Sequence, residues 1–180
     1  MTGKDTILTE RLKLIKVDQQ VLDKVFNELT SQQQMDFLGC KNITELQEQY
    51  TRYSLGLSTF NRKFLYFFIR EKSTDKHIGW CGFHTWYTDH FRAEIGYTLD
   101  SDFHNKGLMT EALDAVLNYG FQKMRLRRVE ALVGTDNLPS KSLLRKFGFQ
   151  YEGLLKKHYN INGKNEDSEI HALLNSEQIK

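Results

Sequence analysis

Apolar and polar positions first fall into a regular pattern at residues 11–17, RLKLIKV, where Leu12 and Leu14 alternate with Lys13 and Lys16. Alternation with a period of two predicts a half-buried strand. Asp18 then stands where a helix cap is needed, ahead of Val21, Leu22, Val25, Phe26 and Leu29 at helical spacing. Thr44-Glu45-Leu46-Gln47 has the form of a capping box and predicts a second helix with Leu46, Tyr50, Tyr53 and Leu57 along its apolar side. Three strands follow in close order: residues 64–69, rich in aromatic side chains, a turn at 73–76, then 78–86 and 92–99.

The period changes again after Gly107. Leu108, Met109, Ala112, Leu113, Val116, Leu117, Tyr119 and Phe121 form a helical stripe that runs to Met124. Residues 127–133 read as a strand. A further helix opens at Asn137, carries the only proline, Pro139, in its first turn, and stops at Gly148. Strands at 151–160 and 167–174, joined by the turn NGK, complete the pattern. The order β-α-α-β-β-β-α-β-α-β-β predicts an α/β (α+β) fold on a mixed sheet of about seven strands.

Composition narrows this picture. A chain of 180 residues fits one domain, 1–180, able to bury a core without disulfides or a structural metal. Cys40 and Cys81 lie far apart and form no metal or redox motif, which suits a reducing interior. A net charge of +2 announces no large basic surface, and RLRR at 125–128 has no interleaved aromatics, so no nucleic acid partner is expected. The charged start and the absence of a long apolar run predict a cytoplasmic protein with no membrane partner. His77, His84, His90, His104, His158 and His171 show no metal-ligand spacing, so no metal is expected; His84 and His158 are candidates to line a cleft.

Three stretches could carry chemistry. Gly107 ahead of a helix would let backbone approach a phosphate at a helix N-terminus, with Lys106 adding charge, although by itself a glycine there is usually the mark of a plain turn. No GxxxxGK[ST] or GxGxxG pattern is present, which disfavours NTPases and dinucleotide-binding oxidoreductases. Glu94, in the apolar strand AEIGYTL, either faces solvent opposite Ala93, Ile95 and Tyr97 or projects into a cleft and accepts protons. Asn137 and Ser140 serve as helix caps, and both could also bind a cofactor or donate a proton.

Taken together and in this order, LTERLKL, AEIGYTLDSDFHNKGLMTEAL and the run from RRVEALVGTDNLPSKSLLRKFGF to SEIHALL resemble the GNAT N-acetyltransferase superfamily. The likeness is to its ribosomal-protein N-terminal (RimJ/RimL) branch and spans nearly the whole chain. The resemblance implies a cofactor-binding strand, Tyr97, Thr98 and Leu99, that splays from its neighbour and pairs with the pantetheine arm of acetyl-CoA, with helices on both faces of the sheet. It implies a pyrophosphate loop of pattern Q/R-x-x-G-x-G/A, read here as His104-Asn105-Lys106-Gly107-Leu108-Met109 and followed by Thr110. His104 and Met109 depart from that pattern, and Gly107 keeps it.

The same resemblance places Asn137 near the cofactor's thioester, Glu94 as the base acting on the amine, and Ser140 as the acid for the leaving thiolate. The tyrosine that many superfamily members carry seven residues after the asparagine is Leu144 here. The implied activity is direct acetyl transfer from acetyl-CoA to a primary amine, foremost a protein N-terminus; a homodimer is left open. The alternatives are a small-molecule amine such as a polyamine, amino acid or aminoglycoside, or a catalytically silent acyl-CoA-binding module.

Overall fold

The alternation along residues 11–17 becomes a strand with a different helix layer on each side. In this computed structural model, which describes residues 6–56 and 63–175, Leu12 and Leu14 are wholly buried on one face of the sheet. Val17, out of phase with them, is buried on the other face. The elements are β1 (Thr6–Leu8), β2 (Leu12–Val17), α1 (Gln19–Glu28), α2 (Ser31–Leu38), α3 (Ile43–Ser54), β3 (Lys63–Glu71), β4 (His77–Tyr87) and β5 (Arg92–Leu99). They continue as α4 (Leu108–Gln122), β6 (Arg128–Gly134), α5 (Leu138–Lys146), β7 (Gln150–Ile161) and β8 (Lys164–Leu174).

The mixed, mostly antiparallel sheet has eight strands in the order β1-β2-β3-β4-β5-β6-β8-β7, one more than the pattern of the chain shows. The additional strand is β1, three residues antiparallel to β2 and too short to leave a periodic pattern. A second correction is α2, a polar helix with only Leu38 buried. Its signature was nevertheless written in the chain: Thr30 and Gln33 form a reciprocal capping box, and Gly39 closes the helix. A third correction concerns the start of α3. The cap is Asn42, whose side chain accepts the Glu45 N–H, not the box at Thr44. The expected apolar position Leu57 lies outside the described residues.

Strand β3 shows how the two layers are specified. Leu65, Phe67 and Ile69 face α4, and Phe64, Tyr66 and Phe68 face α1 to α3. Leu113 and Val116 of α4 are fully buried against the first set. Complete burial of such a side chain contributes about 1.5–3 kcal/mol, so α4 is fastened to the sheet by its apolar stripe.

All neighbouring strands are antiparallel except β5 and β6, and that exception shapes the molecule. Parallel pairing holds only at Arg92↔Arg128, Ala93↔Val129 and Glu94↔Glu130. Beyond it β5 continues to Leu99 along β4, and β6 continues to Gly134 along β8. The sheet therefore opens into a V, with Glu94 and Glu130 at its vertex. Glu130 is tied down by Arg92 at 2.8 Å and Arg128 at 2.7 Å.

Candidate active site

Hydrogen bonding across β4 and β5 decides which way β5's backbone points. The Asp100 N–H donates to the Ile78 carbonyl at 2.8 Å, and alternate residues of a strand share a direction. Thr98, Gly96 and Glu94 therefore present their backbone groups to β4. Ile95, Tyr97 and Leu99 present theirs to the open V, where β6 has departed. An exposed strand edge is a template for an extended ligand. A cleft of about 720 Å³ occupies this opening, lined by β5, the loop before α4, the start of α5, and Tyr159 from the β7–β8 hairpin.

At one end of the cleft stands the N-terminus of α4. Gly107 is its cap residue, in the left-handed region at φ 73°, and supplies no side-chain cap. The first amides of α4 are therefore free to bind an anion. Asn105 is also left-handed at φ 57°, so the loop curls to present successive N–H groups. His104, Asn105, Gly107, Leu108, Met109 and Thr110 all line the cleft. Lys106 does not: its ammonium lies 5.3 Å from the centre of the Phe103 ring, and only its backbone belongs to the loop.

The departure at His104 has a structural use. Its Nε2 lies 2.9 Å from the Leu99 carbonyl oxygen, which only accepts, so the ring carries its proton on Nε2 and donates it. The ring thus ties the loop to the end of β5.

The loop is also held from behind, by residues that sequence reasoning passed over. Arg11 donates from Nη1 to the Lys106 carbonyl at 2.9 Å and from Nε to Glu111 at 2.7 Å. Glu111, in the first turn of α4, also accepts from the Arg11 backbone at 2.7 Å and the Thr9 hydroxyl at 2.5 Å. Burial pushes the Glu111 carboxyl up, but these bonds outweigh it and hold the group below its ordinary range. LTERLKL thus both joins the first two strands of the sheet and braces the loop before α4.

At the vertex, Glu94 faces the cleft with its side chain 15% exposed. Ala93 and Ile95 are buried toward α4, so the strand alternation holds, yet the opposite face at this point is a cleft wall. Burial, helped by the neighbouring Glu130 charge, pushes the Glu94 pKa up to about 7. His84 approaches Glu94 to 3.6 Å but is itself shifted down by burial and stays neutral near pH 7. Gly96 makes this packing feasible: a Cβ there would meet His84 Nε2 at 2.9 Å and Trp80 at 3.0 Å. Tyr159 closes the same side. His158 does not line the cleft; its ring lies tilted against Tyr159, the centroids 4.4 Å apart, and it is exposed.

On the other side of the V, Asn137 caps α5 by accepting the Ser140 N–H at 3.1 Å. Its Oδ1 is thereby occupied, which leaves its NH2 to reach a ligand. The Ser140 hydroxyl lies 2.6 Å from the Tyr97 hydroxyl, a bond across the cleft from α5 to β5. Leu144 is wholly buried in the core. Cys81 is also fully buried and its thiol is pushed up, which leaves it no access to a ligand.

A family described as acetyltransferase (GNAT) domain matches residues 11–150, from the brace at Arg11 through the V to the start of β7. The chain belongs to the GNAT acetyltransferase family. This GNAT protein is 33% identical over 177 residues to the uncharacterized N-acetyltransferase p20 of Bacillus licheniformis, covering 96% of this chain and 98% of that one. Its fold is shared by the ribosomal-protein-S5-alanine acetyltransferase of Vibrio fischeri, with TM-score 0.68, 22% identity, and coverage of 96% and 98%. A spermidine N-acetyltransferase from Vibrio cholerae, in a dodecameric structure, shares it too, with TM-score 0.65, 20% identity, and coverage of 94% and 97%. The protein is an N-acetyltransferase, and enzymes of this family use acetyl-CoA as co-substrate. The uncapped start of α4 and the open edge of β5 suit a pyrophosphate and an extended arm. Among the described residues no cluster of His, Cys, Asp or Glu is built to hold a metal, and no helix is long and apolar enough to cross a membrane.

Proposed function

We propose that the protein, as one domain over residues 1–180, moves an acetyl group from acetyl-CoA directly to the α-amino group at a protein N-terminus. The observation that carries this reading is Glu94, a cleft-facing carboxylate at the vertex of the V with a pKa of about 7. Only a neutral amine attacks a thioester. An α-ammonium, with pKa about 8, passes its proton to such a base at a cost of about 1.4 kcal/mol; a lysine ammonium, near 10.4, costs about 4–5 kcal/mol. Glu94 is also the only carboxylate lining the cleft among the described residues, whereas a polyamine with several charges calls for more.

Each residue has a role in this account. The loop of His104 to Thr110 receives the pyrophosphate on backbone amides, and the edge of Ile95, Tyr97 and Leu99 pairs with the pantetheine arm. The Asn137 NH2 positions the cofactor near its thioester. Glu94 takes the proton from the amine, directly or through one water. Free N–H groups of β5 stabilise the oxyanion that develops at the carbonyl. The Ser140–Tyr97 hydroxyl pair serves the departing sulfur.

The test is CoA release with a panel of acceptors, run alongside acetyl-CoA binding. Turnover on peptides with free N-termini supports the proposal. Preference for spermidine, amino acids or aminoglycosides would move the acceptor to a small molecule. Tight acetyl-CoA binding with no turnover on any amine would make the protein a silent acyl-CoA-binding module.

A further inference from the structure

Resting on the acetyltransferase reading above, we propose that the Tyr97 phenol, held in place by the Ser140 hydroxyl, delivers the proton to the departing CoA thiolate. The two hydroxyls lie 2.6 Å apart and span the cleft from β5 to α5. Their place along β5 fits the order of the ligand's own atoms. An arm entering from the phosphate loop at Leu99 and His104 meets Tyr97 before it reaches Glu94. The α-carbons of Tyr97 and Glu94 are three residues apart, about 10 Å along an extended strand. Their side chains leave opposite faces of the sheet, Tyr97 toward the α4 core and Glu94 toward Trp80 and His84. The leaving sulfur and the incoming amine, on opposite sides of the acetyl carbon, thus have an acid and a base of their own.

Chemistry separates Tyr97 from Ser140. A phenol is a far stronger acid than an aliphatic hydroxyl, and a phenolate accepting the Ser140 O–H is stabilised by that bond. Burial raises the Tyr97 pKa and the Ser140 bond draws it back, so the phenol holds its proton at neutral pH. Leu144 is sealed in the core and supplies no hydroxyl. As the C–S bond breaks, its electron pair stays on sulfur and the Tyr97 proton joins it, giving the free thiol. The bound amine is neutral, its ammonium proton having left to solvent through Glu94, and the N–H proton it sheds on acylation then rests on the re-ionised Glu94. Solvent then carries one proton from Glu94 to the Tyr97 phenolate, and the site is restored with only acetyl-CoA and the amine consumed.

The experiment compares Tyr97→Phe, Ser140→Ala and 3-fluorotyrosine at position 97 in the full chain. For each protein, kcat, the pH–rate profile and the acetyl-CoA Kd are measured. Tyr97→Phe is expected to lower kcat roughly 10–100-fold, to erase the alkaline limb of the profile and to leave Kd within about twofold. Ser140→Ala should lose less, and fluorotyrosine, a stronger acid, should move the alkaline limb to lower pH. Near-normal kcat in Tyr97→Phe, a larger loss in Ser140→Ala, or a limb unmoved by fluorine would overturn the assignment. Those results leave the parent reading standing. Wild-type protein that releases no CoA with any amine removes both.

Discussion

Replacing Glu94 by Gln keeps the shape of the vertex and removes its charge, so activity and stability should change in opposite directions. Glu94 is held at about 7 instead of its usual 4.5, chiefly because it is buried and secondarily because Glu130 stands beside it. In wild-type enzyme the ionised fraction rises from about a tenth at pH 6 to about nine-tenths at pH 8, on top of the amine's own deprotonation. The rate should therefore climb with two ionisations, and Glu94→Gln should keep only the amine's. The loss in kcat at pH 7 should be on the order of 100-fold, the scale for a general base, with acetyl-CoA affinity unchanged. The stability sign follows from the raised pKa. Between about pH 4.5 and 7 the folded chain keeps a proton that the unfolded chain has released, so wild-type stability falls as pH rises through that window. The shift corresponds to a loss of up to roughly 3 kcal/mol by pH 8. Glu94→Gln has no such loss and should gain on wild type as the pH rises. Urea melts at pH 5 and pH 8, with pH–rate profiles of both proteins, measure the two effects. Equal rates, equal profiles and a stability difference that does not move with pH would refute the reasoning.

Other positions give sharper local tests. Gly107→Val should weaken acetyl-CoA binding at least roughly tenfold by calorimetry, because a branched residue resists φ 73° at the phosphate end; Gly107→Asn should keep most of it. The nearest atom a Cβ would meet is Arg11 Nη2 at 3.5 Å, so the cost there is conformational rather than a clash. Arg11→Ala should raise the KM for acetyl-CoA and lower stability by about 1–2 kcal/mol in denaturant melts, since Lys106 and Glu111 both lose a partner. Tyr159→Ala should raise the acceptor KM and leave the acetyl-CoA Kd unchanged, a split that steady-state kinetics and calorimetry detect together.

What the chain made legible, and what it hid, follows from range. Strong local periods placed α4 and β3 to β5, whereas the alternation of residues 11–17 reads as a half-buried strand and only the fold shows Val17 buried in a second layer. Weak local signals hid β1, at three residues, and α2, whose face is polar although its caps were readable. The V was visible only through resemblance, because where β5 and β6 part depends on a pairing that ends at Glu94 and Glu130, far apart in sequence. Glu94 could not be judged by alternation alone. Its even-numbered face is the one expected to meet water, and only the parting of two strands makes it a cleft wall. Arg11 and Glu111 carry no local signal for the same reason, since 100 residues separate them.

The most direct test of the central claim is mass spectrometry of a peptide that offers both a free N-terminus and a lysine, incubated with the enzyme and acetyl-CoA. The account predicts acetylation at the α-amine, no product from the same peptide with its N-terminus blocked, and one CoA released per acetyl group. Modification of the lysine in the blocked peptide, or preference for spermidine over the free N-terminus, would contradict it.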